Sequence, residues 1–214
     1  MLYSPMMYEQ IIDSLRQAYD NHAAQRDAAG LTDWKVAERA DFLALLQAEG
    51  KRDLLEIGGG PGHHAAWFRE QGLAVVMTDL SPEMVRLARL KGVDARVMDF
   101  LNLAFPPASF DAVFALNCLL HVPSADLPRV LAAIHRLLRP GGLLFYGVYG
   151  GYSFEGIFAD DHHDPARYFV FYPDDELRQQ VATLFDEVTF RAIPLEEEEK
   201  AHFQALTLRR RERA

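Results

Sequence analysis

The chain has 214 residues and a formal net charge of -9; half of its residues are hydrophobic and a quarter are charged. This length suits one domain with a full hydrophobic core, and the composition is that of an ordinary globular protein. The acidic balance argues against DNA or RNA as a partner, because lysine and arginine normally hold phosphate backbones. The dense basic stretch at residues 209–213 is interpreted as a solvated tail.

The lack of a recognisable targeting signal and the single cysteine predict a cytoplasmic protein with no membrane partner. No apolar run approaches the roughly 20 residues that a membrane-spanning helix needs. Residues 1–5 lack the basic start and apolar stretch of a secretory signal peptide. The single cysteine, Cys118, leaves no internal disulfide and fits a reducing compartment. Because Cys118 lies in an apolar run, we expect it to be buried rather than a nucleophile.

In chain order, residues 1–50 have the apolar spacing of helices and are predicted to form a helical cap. From about residue 52 to residue 148, short apolar runs alternate with helix-like stretches, which is typical of a parallel sheet with crossover helices. Strands are predicted at residues 53–57, 74–78, 95–98, 112–116 and 143–149. Residues 185–193 and 202–208 alternate like a closing antiparallel pair, and the acidic run 196–199 between them is interpreted as a solvated turn.

The helices carry their own start and stop signals. Ser81 is a candidate N-cap, Pro82 suits the first helical position, and Glu83 suits the positive first turn. Further helices are predicted at residues 63–71, 126–138 and 174–184. The Arg-Pro-Gly-Gly sequence at residues 139–142 is expected to stop the second of these.

A glycine loop, Glu56-Ile57-Gly58-Gly59-Gly60-Pro61-Gly62, follows the first predicted strand. Strand, glycine turn and helix together suit a nucleotide-type cofactor, because glycine lets the backbone approach the ligand and the helix start offers free N–H groups. A dinucleotide fingerprint would place its third glycine where this chain has His63, and no Gly-Lys-Ser/Thr completes a P-loop. The spacing therefore disfavours both of those motifs.

Two acids follow later strands: Asp79 after the second and Asp99 after the third. Taken alone, each acid is explained as well by a role as a turn or helix cap as by contact with a ligand. In order with the glycine loop, the fourth strand and the Arg-Pro-Gly-Gly motif, they resemble the class I S-adenosylmethionine (SAM)-dependent methyltransferases, whose first motif is E/D-x-G-x-G-x-G. The resemblance is to the type 11/25 small-molecule subgroup and is close over residues 50–150.

The resemblance implies an α/β fold, a Rossmann-like doubly wound seven-stranded sheet of order 3-2-1-4-5-7-6. The last strand would be antiparallel, and the helical cap would precede the sheet. It also implies transfer of a methyl group from SAM to a small-molecule acceptor. The implied division is a single methyltransferase domain at 1–214, with a cap (1–50), a SAM-binding core (51–149), a lid insertion (150–172) and a closing helix and strands (173–214).

Carried over residue by residue, the resemblance implies a complete cofactor site. The glycine loop would hold the methionine part, Asp79 the ribose, and Leu80 would pack on the adenine. Asp99 and the backbone of Phe100 would read the adenine edge, Asn117 would lie under the sulfonium, and Tyr19 would close over the carboxylate. The implied cofactor-binding residues are Glu56, Gly58, Gly59, Gly60, Gly62, Asp79, Leu80, Asp99, Phe100, Asn117 and Tyr19.

The insertion after residue 149 is rich in aromatic residues, which suit a lid because they bury area at low entropic cost and attract the sulfonium. Tyr149, Tyr152 and Tyr168 are the candidate substrate contacts, although most of the aromatics are expected to pack on one another. Residues 160–164, Asp-Asp-His-His-Asp, offer metal-type ligands. Adjacent residues rarely all face one ion, so a polar loop is favoured and no metal is expected.

His121 is the candidate catalytic residue, because it follows the fourth strand at the active-site edge. A structural hydrogen-bonding role is favoured over that of a general base. Methyl transfer needs a base only when the acceptor is a hydroxyl or a protonated amine. Two rival functions stay open: an NAD-dependent oxidoreductase and a catalytically inactive SAM-fold regulatory or scaffold subunit. Neither the methyl acceptor nor a choice between monomer and homodimer follows from the sequence.

Overall fold

A seven-stranded sheet with helices on both faces determines where the site lies. The computed structural model describes residues 7–158, 161–195 and 198–212. The helices are α1 (Tyr8–Asn21), α2 (Ala23–Ala28), α3 (Asp33–Ala48), α4 (His63–Glu70), α5 (Pro82–Leu90), α6 (Leu127–Leu137) and α7 (Asp174–Val181). The strands are β1 (Asp53–Ile57), β2 (Ala74–Asp79), β3 (Asp94–Val97), β4 (Phe110–Leu116), β5 (Leu138–Gly150), β6 (Phe154–Ile157), β7 (Tyr168–Phe171), β8 (Phe185–Leu195) and β9 (Glu198–Arg210).

The strand order of the main sheet is β3-β2-β1-β4-β5-β9-β8. The five strands from β3 to β5 are parallel. β9 runs antiparallel to both of its neighbours. Strands β6 and β7 form a separate hairpin in the insertion. When that hairpin is left aside, the order is the predicted 3-2-1-4-5-7-6, so the Rossmann-like fold with its antiparallel last strand and N-terminal helices is confirmed.

Alternate residues of the central strands pack against different helices. Leu55 and Val113 lie in the cluster that includes residues of α1, α6 and α7. Their chain neighbours Leu54 and Ala112 lie in the cluster that includes residues of α3 and α4. Successive side chains of a strand point to opposite faces. Burial of both faces therefore explains why these strands read as continuous apolar runs.

The fifth strand begins earlier than predicted. The Arg-Pro-Gly-Gly sequence at 139–142 follows the end of α6 at Leu137, as expected, but it is part of β5 rather than of a loop. Leu138 pairs with Phe110, and a register shift before Ala112 accommodates the additional residues of β5. The β6–β7 hairpin was not predicted, because its strands have four residues each and lie among glycines and aromatics.

The carboxyl ends of β1, β2 and β4 meet at one edge of the sheet, where Ile57 is level with Thr78. A 3-10 turn, Leu119–His121, continues from β4 at this edge. In open α/β sheets, ligands bind outside the carboxyl ends of the strands. Among the helices of the described ranges, none combines the length and apolar character needed to cross a membrane. Residues 1–5, Asp160, residues 196–197 and Arg213, for which predictions were made, lie outside the described residues.

Candidate active site

A cavity opens at the carboxyl edge of the sheet and is covered by α1 and α2. Most of the predicted site residues line it: Tyr19, Glu56, Gly58, Gly59, Gly60, Asp79, Leu80, Phe100, Asn117 and His121. Five do not: Gly62, Asp99, Tyr149, Tyr152 and Tyr168. The fold therefore gathers residues that are up to about a hundred positions apart around one space.

Helix α2 is held over the glycine loop by a lysine from α5's C-terminal end. Lys91 Nζ donates to Asp27 Oδ1 at 2.5 Å and to the Pro61 carbonyl at 2.9 Å. His63, the first residue of α4, also contacts the Asp27 carbonyl through Nε2 at 3.1 Å. These contacts connect α2, the glycine loop and α5 along one side of the cavity.

The glycine loop is shaped by close approaches on its protein side. A Cβ on Gly58 would lie 2.3 Å from the Cys118 Cβ, and one on Gly59 would lie 2.5 Å from Met77. A Cβ on Gly60 would meet nothing within 4 Å, although its φ of +57° is one that glycine adopts most readily. Gly62 is the N-cap of α4, where a Cβ would lie 2.7 Å from that of Ala88. Gly58 and Gly60 thus border the ligand space, whereas Gly62 packs α4 against α5.

Two buried carboxyl groups face this cavity. Glu56 is 2% exposed, and its Oε2 has no hydrogen-bond partner among the described residues. Burial raises the pKa of Glu56 to about 8, and the nearby Asp79 acts in the same direction. Asp79 accepts from the Gly60 N–H at 2.8 Å and the Ser81 N–H at 2.9 Å. Burial still raises the pKa of Asp79 above its ordinary value. The pair is therefore suited to a ligand that brings positive charge or hydrogen-bond donors.

Asp79 and Asp99, which the sequence presents alike, differ in the structure. Asp79 caps the turn into α5 and also lines the cavity. Asp99 does not line the cavity, and it closes a local turn. Its Oδ1 accepts from the N–H groups of Leu101 at 2.8 Å and Asn102 at 3.1 Å, and its Oδ2 accepts from Asn102 Nδ2 at 2.8 Å. The ligand and cap readings thus both fit Asp79, whereas only the cap is observed for Asp99.

Asn117, directly after β4, is held in an unusual conformation. Its φ is +54°, and its buried Oδ1 has no hydrogen-bond partner in the described part of the chain. Burial raises the pKa of the neighbouring Tyr149, and the Asn117 side chain opposes that rise. Uncommon backbone conformations of this kind cluster at functional sites, and asparagine adopts this one more readily than most residues. The next residue, Cys118, is buried and donates from Sγ to the Ile57 carbonyl, so it is the small buried residue that was expected.

His121 uses both of its ring nitrogens. Nδ1 lies 2.7 Å from the Tyr168 carbonyl and must donate, so Nε2 is the acceptor for the Tyr19 hydroxyl at 2.6 Å. Burial lowers the pKa of His121 to about 3. Arg167 Nη1 donates in turn to the Tyr19 hydroxyl at 3.0 Å. This geometry favours the structural role of His121, because its acceptor nitrogen is already engaged.

The candidate substrate tyrosines differ in position. Tyr149 does not line the cavity but lies near Asn117, which does, and it also packs edge-on against Trp34. Tyr152 packs against Phe171, and Tyr168 donates its hydroxyl to Glu155 at 2.9 Å. Phe154, Phe158, Phe169 and Phe171 pack on one another in the same insertion. The aromatic residues of the insertion therefore pack mainly on one another.

In the described part of the polar run, residues 161–164, an arginine pairs with Asp161. Burial alone would raise the pKa of Asp161, but bidentate pairing with Arg167 lowers it well below its usual range. His163 Nδ1 lies 3.4 Å from the same carboxylate. Across the described residues, no group of three or more histidine, cysteine, aspartate or glutamate side chains is arranged to hold a metal.

Several cavity residues were not identified from the sequence. Tyr8, Leu15, Arg26, Lys35 and His64 all line the cavity. The first four come from the N-terminal cap, where the helical spacing of apolar residues shows which face is buried but not which strand edge it covers.

Comparisons with known proteins match the part of the chain that contains the glycine loop. A family model described as a methyltransferase domain matches residues 55–146. Ubiquinone biosynthesis O-methyltransferase of Xylella fastidiosa is 30% identical over 160 residues, which cover 66% of this chain and 63% of that protein. Malonyl-[acyl-carrier protein] O-methyltransferase of Serratia marcescens is 30% identical over 135 residues, covering 62% and 51%. The matched region is thus between about half and two thirds of these curated relatives' lengths.

A solved structure extends the likeness to the whole chain. The 1,6-didemethyltoxoflavin-N1-methyltransferase of Burkholderia thailandensis, with bound 1,6-didemethyltoxoflavin and S-adenosylhomocysteine (SAH), superposes with a TM-score of 0.72. It is 26% identical, and the alignment covers 99% of this chain and 92% of that one. The fold, the ordered motifs and these matches agree. The chain therefore belongs to the class I SAM-dependent methyltransferases.

Proposed function

We propose that the cavity binds SAM and that the protein transfers its methyl group to a small-molecule acceptor. One observation carries the cofactor assignment: two buried acceptor atoms in one cavity, Glu56 Oε2 and Asn117 Oδ1, have no partner among the described residues. Burying such atoms unpaired is unfavourable, and an ammonium group would supply the missing donors. The α-ammonium and sulfonium of SAM bring positive charge to the wall where Glu56 and Asp79 lie.

The remaining parts of SAM have suitable partners in the same cavity. Asp79, with two carboxylate oxygens, suits the ribose hydroxyls. Leu80 and Phe100 supply apolar contact for the adenine. Arg26 suits the carboxylate, and the Tyr19 ring, over which Arg26 lies at 5.6 Å, would position that guanidinium, because the Tyr19 hydroxyl proton is already donated to His121. In this proposal Gly62 acts by placing α4, and Asp99 reaches the adenine amine only through the Oδ2 that Asn102 already contacts.

SAM supplies an electrophilic methyl group: the acceptor's lone pair forms the new bond to carbon while the carbon–sulfur electrons return to sulfur. The protein's contribution to such a displacement is to align the reactants and exclude water. The cap helices close one side of the cavity. The Tyr19 hydroxyl of α1 donates to His121 of the 3-10 turn and accepts from Arg167 of the lid, so it links these three elements. Because His121 Nε2 is engaged, we assign His121 and Tyr19 to positioning, and Tyr149 to the acceptor side through Asn117.

The acceptor class is inferred from the relatives and the lid. The Xylella relative is named for ubiquinone biosynthesis, and the Burkholderia structure holds a small heterocycle. We further propose one methyltransferase domain over 1–214, divided as expected from the sequence, that acts in the cytoplasm as a monomer or homodimer without nucleic acid or a membrane.

The cofactor assignment is tested by calorimetry and thermal unfolding with SAH and with NADH. SAH at a hundredfold excess over its Kd should stabilise the protein by about 2.7 kcal/mol, or roughly 5–10 °C in Tm for a chain of this size. D79N should weaken SAH binding at least about tenfold, whereas the control D186N, at an exposed residue paired with Arg211, should not. Tight NADH binding without SAH binding would overturn the proposal.

The inactive-subunit alternative needs a separate measurement. Purified protein is incubated with radiolabelled SAM and a metabolite extract, and labelled small molecules are counted against D79N. Transfer above the D79N background is expected. SAH binding without any transfer across extracts and a pure acceptor panel would favour the regulatory or scaffold role.

A further inference from the structure

The same cavity contains a lysine that the cofactor proposal leaves unused. Lys35, at the start of α3, lines the cavity and is half-buried. In the described ranges it forms no ion pair with a carboxylate, and the charged group that acts on it is another cation, Arg26. Burial lowers the pKa of Lys35, and repulsion from Arg26 lowers it further. Because Lys35 has no carboxylate partner in the described ranges, it suits an anionic ligand.

The charge balance of the cavity points the same way. Its charged walls consist of two acids, Glu56 and Asp79, and two bases, Arg26 and Lys35. SAM carries an ammonium, a sulfonium and one carboxylate, so it adds one net positive charge. With SAM bound, an anionic second ligand would therefore neutralise the site.

His64 provides an independent sign of a polar ligand near this lysine. It lines the cavity, is 7% exposed, and its buried Nδ1 has no hydrogen-bond partner among the described residues. Burial lowers the pKa of His64 to about 3, and the charges of Arg39 and Lys35 act in the same direction. The ring is thus neutral and carries one N–H, which is able to donate to an oxyanion.

Lys35 lies beside the aromatic residues on the acceptor side of the cavity. The charge of Arg26 acts on residues of both sides, on Asp79 and His121 and also on Tyr149. Lys35 Nζ lies 5.1 Å from the Trp34 ring. Trp34 packs edge-on against Tyr149, and Tyr149 lies close enough to Asn117 at the cavity wall for that side chain to lower its pKa. Lys35 is therefore continuous with the side of the cavity assigned to the methyl acceptor.

We propose that the methyl acceptor is an anionic small molecule, whose compact oxyanion is held by the Lys35 ammonium and an N–H of His64 beside Trp34. The inference rests on the proposed function, since it names the substrate class of the same site. Carboxylate is the simplest such oxyanion.

The test uses matched carboxylates and amides on protein saturated with SAH, so that the cofactor's own carboxylate position is filled. Benzoate is compared with benzamide, and hexanoate with hexanamide, by calorimetry and ligand-observed NMR. At least one carboxylate should bind about tenfold or more tightly than its amide, as a charge-assisted hydrogen bond predicts. K35M should reduce that ratio to threefold or less, while K35R, which keeps the charge, should retain it. K200M, at an exposed lysine of β9, is the matched control and should leave the ratio unchanged.

SAH binding by each variant separates the possible failures. If no carboxylate outbinds its amide while SAH binds normally, the anionic-acceptor proposal is wrong and the methyltransferase proposal stands. If K35M keeps the carboxylate preference but weakens SAH more than tenfold, Lys35 belongs to the cofactor's carboxylate and the proposal is also wrong. If SAH does not bind wild-type protein, the proposed function itself fails. H64L should lower the ratio at least threefold, and an unchanged ratio would remove His64 from the site.

Discussion

SAH binding should release a proton from Glu56. Burial raises the pKa of this carboxyl to about 8, so at pH 7 roughly 90% of the free protein carries the proton. The ligand's ammonium favours the ionised carboxylate, and the proton must leave when the two groups meet. We therefore expect about 0.9 proton released per SAH at pH 7. Affinity should rise close to tenfold per pH unit between pH 6 and pH 7, because the slope equals the number of protons exchanged.

The measurement is calorimetry of SAH binding at pH 7 in buffers of different ionisation enthalpy, repeated at pH 6 and pH 7.5. The ligand's amino group stays charged over most of this range, so Glu56 dominates the exchange. E56Q has no proton to release at this position and should show a flat pH dependence. D186N should behave as wild type. Release of less than about 0.3 proton by wild-type protein, or equal release by E56Q, would refute the reasoning that places the ammonium on Glu56.

Three further predictions concern the unliganded protein and are checked by urea unfolding. In the folded protein the pKa of Glu56 lies above its ordinary value of 4.5, so the free energy of unfolding should fall as the pH rises from about 4.5 to 8, by at most about 1.4 kcal/mol per pH unit. E56Q should lack this part of the loss. An identical pH profile for both proteins would contradict the prediction. G58A should lower the free energy of unfolding by about 2 kcal/mol or more, because the new Cβ meets that of Cys118. G60A should lower it by only about 1 kcal/mol and should mainly weaken SAH binding. Equal losses would show that the loop relaxes around Gly58. Y19F leaves the buried His121 Nε2 without its donor and should lose about 1–3 kcal/mol; unchanged stability would mean that another donor takes its place.

Much of the fold was predictable because its signals are local. β1 matches its predicted bounds, and α5 begins after Ser81, whose Oγ accepts from the Met84 N–H at 3.0 Å as an N-cap should. The sheet order is a long-range property, and it was available only through the resemblance of the ordered motifs to a known family. The β6–β7 hairpin was not predicted, because strands of four residues are too short to show a periodicity.

The sequence by itself determined the glycine loop, the acids beside it and the family to which they belong, because these depend on spacing within short strand–turn–helix units. Only the tertiary structure decided between residues that look alike in sequence. Asp79 lines the cavity while Asp99 closes a turn with Leu101 and Asn102. It likewise brought His121 into hydrogen bonding with Tyr19 and Tyr168, which are 102 and 47 positions away in the chain. Hydrogen-bond partners and burial set the chemistry of a polar side chain, and both are created when distant segments pack together.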